Sequence, residues 1–277
     1  MEQKLIFLDI DGTLVSGLSS PSPLAERAVR QARAKGHRVF LCTGRNLPII
    51  VPEILDIGFD GVIASAGAYV EAAGEVLLDS LLPEAVIQEC LDVLHGQGLY
   101  CRVETREGIY TDPQMEALLR TASPDPRNAE LVRMQRELES GLPVRTYAHY
   151  PRQGAYKLCF TATAPGPVEE ARKVLGDRFD FVVYPHPEDS ACFNGELIPR
   201  EVDKGKAMAL ICRRLGAAPE DTVAFGDSMN DAPILRRAGL SVAMGNACEE
   251  LKALADAVCE DVDHDGVYHE LCRRGLC

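Results

Sequence analysis

Short apolar runs alternate with longer amphipathic segments over the first 80 residues. The runs at 5–10, 38–42 and 61–64 have the length and the β-forming content of strands that are buried on both faces. Between the first two runs, Ser22 precedes a segment with apolar residues on one helical face, and Gly36 follows it. A strand, a helix and a second strand in this order form a right-handed βαβ unit, so the pattern predicts a parallel sheet.

The same alternation returns near the end of the chain. Asp203 precedes an amphipathic helical segment, and apolar runs at 222–226 and 240–244 follow it. Two further runs, at 69–71 and 75–78, are separated by Ala-Ala-Gly and predict a hairpin at the end of the first part. Both parts of the chain therefore favour one α/β sheet.

The region between these two parts has a different order of predicted helices and strands. Asn194-Gly195, a strong two-residue turn signal, predicts a hairpin near its end. Before it, helical segments alternate with runs that suit paired strands: helices near 83–95, 125–139 and 165–176, and strands near 99–104, 108–112, 144–150, 155–163 and 179–184. We therefore expect an α/β fold with a Rossmann-like parallel-sheet core, residues 1–82 and 189–277, and an inserted α+β cap, residues 83–188.

Charge and composition narrow the class of protein. The 277 residues include 29 Lys plus Arg against 42 Asp plus Glu, a net charge of −13, and no basic stripe offsets it. Nucleic acid is excluded as a partner because its binding rests on Lys and Arg. No apolar run approaches the roughly 20 residues of a membrane span, and no secretion signal precedes the first strand. We expect a cytoplasmic monomer or weak homo-oligomer that acts on a small molecule.

The ten cysteines and six histidines give no zinc signature. No two cysteines form a Cys-x-x-Cys pair, and the histidines lack ligand spacing, so both types are interpreted as structural. Thiols stay reduced in a reducing compartment. Cys272 and Cys277, five residues apart, are the pair whose spacing allows a disulfide.

Polar side chains follow the predicted strands at the points where the strands end. Asp9 and Asp11 end the first run, Thr43-Gly44-Arg45 follows the second, and Asp227 to Asp231 follow the run at 222–226. Ligands of open α/β sheets bind beyond the carboxyl ends of the strands, so these groups are candidates for a reactive site. Asp-x-Asp-Gly is also ordinary turn chemistry, and helix capping would equally explain Asp227 and Asp231.

Four motifs, in order, resemble those of the haloacid dehalogenase superfamily. They are Asp9-Ile10-Asp11-Gly12-Thr13, Thr43 with Gly44 and Arg45, Lys204, and Gly226-Asp227-Ser228-Met229-Asn230-Asp231. The insertion between the second and third motifs, and Met-Gly-Asn-Ala at 244–247, are similar to the Cof-type (class IIB) phosphatases. The resemblance implies Mg²⁺-dependent hydrolysis of small phosphomonoesters, such as sugar, nucleotide or cofactor phosphates, through an aspartyl-phosphate.

The resemblance also implies a role for each motif residue. Asp9 is expected to be the nucleophile, and Asp11 the general acid and base. The expected metal ligands, which offer the hard oxygen atoms that Mg²⁺ prefers, are Asp9, Asp11, Asp227 and Asp231. The expected phosphate-binding residues are Thr43, Gly44, Lys204 and Asn230.

Some questions stay open at the level of the sequence. Cof-type proteins commonly carry Asn-Gly-Ala after the third core strand, where this chain has Ser65-Ala66-Gly67-Ala68, so an amide is missing there. Arg45 and Asn246 have no assigned role. A phosphomutase, or a regulatory protein that keeps only the phosphate site, is the alternative to a phosphatase. The motifs contact the phosphoryl group alone and do not name the substrate.

Overall fold

The computed structural model describes residues 2–16, 20–123, 128–184 and 192–277. Its helices are α1 (Pro23–Ala34), α2 (Pro52–Leu55), α3 (Glu84–Gly96), α4 (Pro113–Thr121), α5 (Ala129–Glu139), α6 (Pro165–Leu175), α7 (Lys204–Leu215), α8 (Ala232–Leu235), α9 (Glu249–Lys252) and α10 (Gly266–Arg273). Its strands are β1 (Leu5–Leu8), β2 (Arg38–Cys42), β3 (Gly61–Ala64), β4 (Tyr69–Ala72), β5 (Glu75–Asp79), β6 (Tyr100–Glu104), β7 (Ile109–Thr111), β8 (Val144–Thr146), β9 (Lys157–Ala162), β10 (Phe179–Val183), β11 (Phe193–Pro199), β12 (Thr222–Gly226), β13 (Leu240–Ala243) and β14 (Ala257–Val258).

The chain divides into two compact units. The first comprises Met1–Arg45, Ile50–Asp79 and Val202–Cys277, and the second comprises Asn46–Ile49 and Ser80–Glu201. Each unit has its own sheet and its own hydrophobic core.

The sheet of the first unit has the strand order β14-β13-β12-β1-β2-β3-β4-β5. Neighbouring strands from β14 to β3 are parallel, whereas β4 pairs antiparallel with both β3 and β5. The predicted parallel sheet and the predicted hairpin are therefore confirmed. At its centre Phe7 of β1 stacks on Phe40 of β2, with 5.0 Å between the ring centroids.

Helix α1 begins where the sequence predicts. The Ser22 hydroxyl accepts a hydrogen bond from the Ala25 backbone N–H at 3.0 Å, and Pro23 occupies the first turn, where a missing N–H costs nothing. The apolar face, which includes Ala28 and Val29, is buried. This helix thus completes the βαβ unit between β1 and β2.

The sheet of the second unit has the order β10-β11-β9-β6-β7-β8 and is antiparallel except between β7 and β8. Helices α3 and α6 contribute to its core, in which Leu91, Leu94 and Phe160 are buried. The α+β character predicted for this region is observed. Helix α4 was not predicted, although Asp112-Pro113 is a helix-start signal that points to it.

The hairpin predicted at Asn194-Gly195 is wrong. Both residues lie inside β11, where Asn194 pairs with Thr161 and Gly195 with Phe160 of β9. The Asn194 side chain accepts a hydrogen bond from the Thr161 hydroxyl at 2.6 Å. Pairing on both sides of β11 therefore outweighs the local turn preference.

The position of β11 also corrects the expected division of the chain. The sequence placed residues 189–277 in the core, but β11 pairs with β9 and β10 of the second sheet, and the second unit extends to Glu201. The boundary expected at residue 188 lies outside the described residues.

Cys272 and Cys277 form a disulfide, with their Cα atoms 4.9 Å apart. The pairing that their spacing in the sequence allows, which was left open there, is therefore observed. Helix α10 ends just after Cys272, and the turn that follows brings the last residue back to it.

Candidate active site

Strands β1 and β12 are parallel neighbours, in the register Leu8 opposite Phe225. Asp9 directly follows β1 and Asp227 directly follows β12, so both side chains start from the same edge of the sheet. One carboxylate oxygen from each of Asp9, Asp227 and Asp231 lies within 4.8 Å of the others. The structure thus brings together the acids that the sequence placed on separate strand ends.

Lys204, the first residue of α7, is buried among these acids. Its Nζ donates to Asp9 Oδ1 at 3.0 Å, to Asp231 Oδ1 at 2.6 Å and, more weakly, to Asn230 Oδ1 at 3.4 Å. Burial disfavours the charged lysine, but Asp231 and Asp9 hold the pKa of Lys204 well above its ordinary value. This lysine therefore stays charged at neutral pH.

One lysine does not neutralise this group of acids. Burial raises the pKa of Asp9 to about 7, against the opposing effect of Lys204 and with a further contribution from Asp231. Burial, together with Asp9 and Asp231, also raises the pKa of Asp227 well above its ordinary value. Such shifts are typical of like charges that share a desolvated site, and they indicate a place for a further cation.

The carboxylates fit a magnesium ion. Asp227 Oδ1 is buried and has no hydrogen-bond partner among the described residues. A Cβ atom on Gly12, where φ is +76°, would lie 2.2 Å from Asp227 Oδ2, so the glycine is what allows the loop to approach this acid. Carboxylate oxygens are the protein ligands that Mg²⁺ prefers.

The Asp231 side chain stabilises the turn that contains Asp227. Its Oδ2 accepts hydrogen bonds from the backbone N–H groups of Asp227 at 3.1 Å and Ser228 at 3.2 Å, while its Oδ1 accepts from Lys204. Its side chain also closes a capping box with Ser228. The helix-capping interpretation is therefore confirmed for this residue, and its role at the site stays a prediction.

Asp11 is held by an arginine. Arg45 Nε donates to Asp11 Oδ2 at 2.8 Å and Arg45 Nη2 donates to Asp11 Oδ1 at 2.6 Å, a two-point ion pair in which the arginine is buried. Sequence reasoning assigned no role to Arg45. The adjacent Thr43 hydroxyl, also buried, accepts from the Arg45 backbone N–H at 3.1 Å, and Gly44 between them is half-buried.

The remaining candidates support the loops around the acids. Asn230 Oδ1 accepts from the Ser228 hydroxyl at 2.8 Å as well as from Lys204. Asn246 Nδ2 donates to the Gly12 carbonyl at 2.9 Å and its Oδ1 accepts from the Val262 backbone N–H at 3.0 Å. Asn246 therefore ties the loop after β1 to the segment before α10.

Residues 65–68, which depart from the Cof-type pattern, are hydrogen-bonded to the second motif, residues 43–45. The Ser65 backbone N–H donates to the Arg45 carbonyl at 2.8 Å and that of Ala66 donates to the Thr43 carbonyl at 3.1 Å. Ala66 has a φ of 56°, a left-handed conformation that costs energy for a residue with a side chain. The backbone thus makes these contacts with the amide side chain missing.

Comparison with known proteins agrees with this geometry. A family model described as haloacid dehalogenase-like hydrolase matches residues 6–271. The chain belongs to this family. Phosphatase YwpJ of Bacillus subtilis is 31% identical over 96% of this chain and 98% of its own length. The phosphoglycolate phosphatase of Methanopyrus kandleri is 29% identical over 95% of this chain and 93% of its own length.

Solved structures show the same architecture. A haloacid dehalogenase-like hydrolase from B. subtilis superimposes with a TM-score of 0.80 at 27% identity, covering 98% of this chain and 99% of the other. A class IIB sugar phosphatase has a TM-score of 0.78 at 26% identity, covering 99% and 100%. The predicted family, its Cof-type subgroup, the fold class and the phosphatase class of enzyme are thus confirmed. None of the helices in the described part of the chain combines the length and apolar character needed to cross a membrane.

Proposed function

We propose that this haloacid dehalogenase-like phosphatase is Mg²⁺-dependent, hydrolyses small phosphorylated metabolites and works through an aspartyl-phosphate on Asp9. The observation that supports this most strongly is the meeting of Asp9, Asp227 and Asp231 around the buried Lys204, with one Asp227 oxygen left without a partner. Such a site favours a divalent cation and a phosphate dianion together.

Asp9 and Asp227 would hold the magnesium ion by their side chains, and Asp11 by its backbone carbonyl. Asp231, with both oxygens engaged, would act on the metal site by orienting Lys204 and the turn at Asp227. When bound, the ion supplies positive charge that lets an anionic nucleophile approach an anionic phosphate.

Asp9 carries out the first chemical step. Its carboxylate oxygen attacks phosphorus while the bond from phosphorus to the ester oxygen breaks, and Asp11 gives its proton to the departing alkoxide. In the second step Asp11 takes a proton from water, whose oxygen attacks phosphorus and releases phosphate and the Asp9 carboxylate. The ion pair with Arg45 holds Asp11 as a carboxylate in this structure, so Asp11 has to leave this pair before it can carry the proton.

Four residues are proposed to bind the phosphoryl group. Lys204 contributes a fixed positive charge, since its ammonium already lies 3.0 Å from Asp9. Thr43 contributes its hydroxyl, Gly44 its backbone, and Asn230 the amide N–H groups opposite the oxygen that faces Lys204. These contacts involve the phosphoryl group that all phosphomonoesters share.

Substrate selection is proposed to lie in the second unit. The relatives include a protein named for phosphoglycolate and another titled a sugar phosphatase, so members of this family act on different small phosphate esters. A cytoplasmic location and a monomeric or weakly associated state stay predictions from the sequence.

The decisive test is turnover of an aryl phosphate by the intact chain. We expect release of inorganic phosphate with Mg²⁺, loss of activity in EDTA and recovery when Mg²⁺ is restored. Asp227→Asn should need far more Mg²⁺ for the same rate. Full activity in EDTA would refute the metal dependence. Transfer of the phosphoryl group to a second hydroxyl instead of water would indicate a mutase, and no turnover with any ester would indicate a binding protein.

A further inference from the structure

A histidine, a cysteine and an aspartate of the second unit bring three different metal-binding atoms to one point. One ligand atom from each of His95, Cys101 and Asp112 lies within 4.8 Å of the others. His95 is in the last turn of α3, Cys101 is in β6, and Asp112 lies between β7 and α4. Nitrogen, sulfur and oxygen are the three kinds of ligand that zinc takes in proteins.

The backbone fixes two of these residues relative to each other. The Cys101 backbone N–H donates to Asp112 Oδ2 at 2.7 Å, and the Asp112 backbone N–H donates to the Cys101 carbonyl at 3.0 Å. The second bond continues the ladder between β6 and β7, and the first holds the Asp112 carboxylate against the Cys101 backbone. The thiol and the carboxylate are therefore pre-positioned by rigid elements, as a metal site requires.

The three residues of the cluster differ in how far they are exposed to solvent. Cys101 is 1% exposed and Asp112 is 5% exposed, whereas the His95 side chain is 43% exposed. The imidazole is therefore the most exposed of the three ligands. The His95 Nε2 atom is 2.7 Å from Asp112 Oδ2, so the imidazole is already turned toward the carboxylate.

The hydrogen bond between His95 and Asp112 does not account for the cysteine. Among the described residues, the recorded hydrogen bond of the Cys101 thiol is a 3.9 Å contact to the Leu99 carbonyl, close to the limit for sulfur. A buried thiol beside an imidazole and a carboxylate is thus only weakly engaged as a donor.

We propose that His95, Cys101 and Asp112 form a zinc-binding site in the second unit, separate from the acids around Asp9. A thiolate and a carboxylate balance the two positive charges of Zn²⁺, and a neutral imidazole adds a third ligand. The ion replaces the thiol proton and the proton that His95 shares with Asp112. Water completes the tetrahedron, and the bound ion joins α3, β6 and the start of α4.

Cobalt absorption tests the proposal directly. The intact chain is stripped with a chelator, dialysed and titrated with Co²⁺, whose bond to a thiolate gives a charge-transfer band in the near ultraviolet. We expect one equivalent to develop the band and Zn²⁺ to abolish it. The same titration of Asp227→Asn should give the same band, because the acids around Asp9 have no cysteine among their three grouped ligands.

Substitutions assign the band to this cluster. Cys101→Ser should remove it, and His95→Ala and Asp112→Asn should weaken Co²⁺ binding by at least about tenfold. Cys90→Ser, at another buried cysteine of the same core, should retain the band. Circular dichroism checks each fold. If Cys101→Ser does not fold, the Co²⁺ affinity of His95→Ala decides whether the proposal stands, because that substitution is at a half-exposed position. Absence of the band from the wild type, its survival in Cys101→Ser, or unchanged affinity in His95→Ala would overturn the proposal.

Discussion

The ammonium of Lys204 is the positive charge that allows Asp9 and Asp231 to be buried together. The lysine side chain is fully buried, and its distances to the two acids are 3.0 Å and 2.6 Å. A buried ion pair adds little compared with apolar residues, but removing one partner leaves an uncompensated charge in a medium that solvates it poorly. The stability of the first unit therefore depends on the same atom that we propose to bind phosphate.

We expect Lys204→Met to lower the free energy of unfolding by about 3–5 kcal/mol in the absence of metal. Urea unfolding followed by circular dichroism measures the change. Lys206→Met is the matched control, because Lys206 lies in the same turn of α7 with its side chain 47% exposed. The control should change stability by less than about 1 kcal/mol. Equal losses in both variants would show that the buried charge is not the cause.

Neutral substitutions of the two acids of the first motif should affect turnover differently. Asp9→Asn should abolish turnover, since no oxygen nucleophile remains, and Asp11→Asn should slow it on the order of a thousandfold. Rapid-quench kinetics with intact-mass analysis compares the two variants. Phosphorylated protein should be detected in Asp11→Asn and should be absent from Asp9→Asn. Asp221→Asn, at the opposite end of β12 from Asp227, is the control and should keep wild-type turnover. Near-normal turnover by Asp9→Asn would contradict the nucleophile assignment.

Asp9 and Asp227 could be predicted as neighbours because strand polarity alone determines where their side chains begin. The ion pair between Arg45 and Asp11 could not. A long arginine side chain can reach many positions from its backbone, and packing selects one of them. The cluster of His95, Cys101 and Asp112 was missed for a related reason: its members have no regular spacing in the sequence, and pairing of β6 with β7 brings two of them together.

Among the elements, those with cooperating local signals were predicted well. Helix α1 has a cap, a first-turn proline and an apolar face, and it forms at the expected residues. Asn194-Gly195 has a strong local signal of another kind, yet it lies in a strand because β9 and β10 both pair with β11. Local preference is decisive at chain positions that have few tertiary partners.

A hydrogen bond joins the residue before β1 to the histidine before β2, and we expect its contribution to stability to depend on pH. The Lys4 backbone N–H donates to His37 Nδ1 at 3.0 Å, which requires an unprotonated nitrogen, and burial lowers the pKa of His37. A lowered pKa stabilises the fold above the ordinary value of 6.5, and this stability is lost as pH falls through 6.5 toward the pKa of the folded protein.

We therefore expect wild-type stability to fall as pH decreases from about 7.5 to about 5, with part of the loss due to His37. His37→Gln cannot gain this proton, so its stability should fall less steeply over the same range. Urea unfolding of both proteins at several pH values measures the two slopes. Parallel slopes would remove His37 from the explanation.

At the scale of the whole molecule, each of the two units has its own hydrophobic core. The core of the first unit includes Phe7, Phe40 and Ile211, and that of the second includes Leu94 and Phe160. The predicted chemical motifs all lie in the first unit. The residues of the second unit could therefore vary with the substrate while the acids proposed to act on phosphorus stay the same.

If the second unit selects the substrate, removing it should change discrimination more than it changes metal binding. The strand pairing of β11 sets the limits of the deletion: residues 80–201 must leave together, since a cut at 188 would retain β11 without its partners. We expect a chain that joins 79 to 202 through a short flexible linker to bind Mg²⁺ and to hydrolyse an aryl phosphate slowly. It should lose the ranking of metabolite phosphates that the intact protein shows.

Calorimetry with Mg²⁺ and a phosphate-release screen of both proteins measure the two properties, with Asp227→Asn in the shortened chain as the control for metal binding. A folded, shortened protein that kept the original ranking of substrates would place selection in the first unit instead.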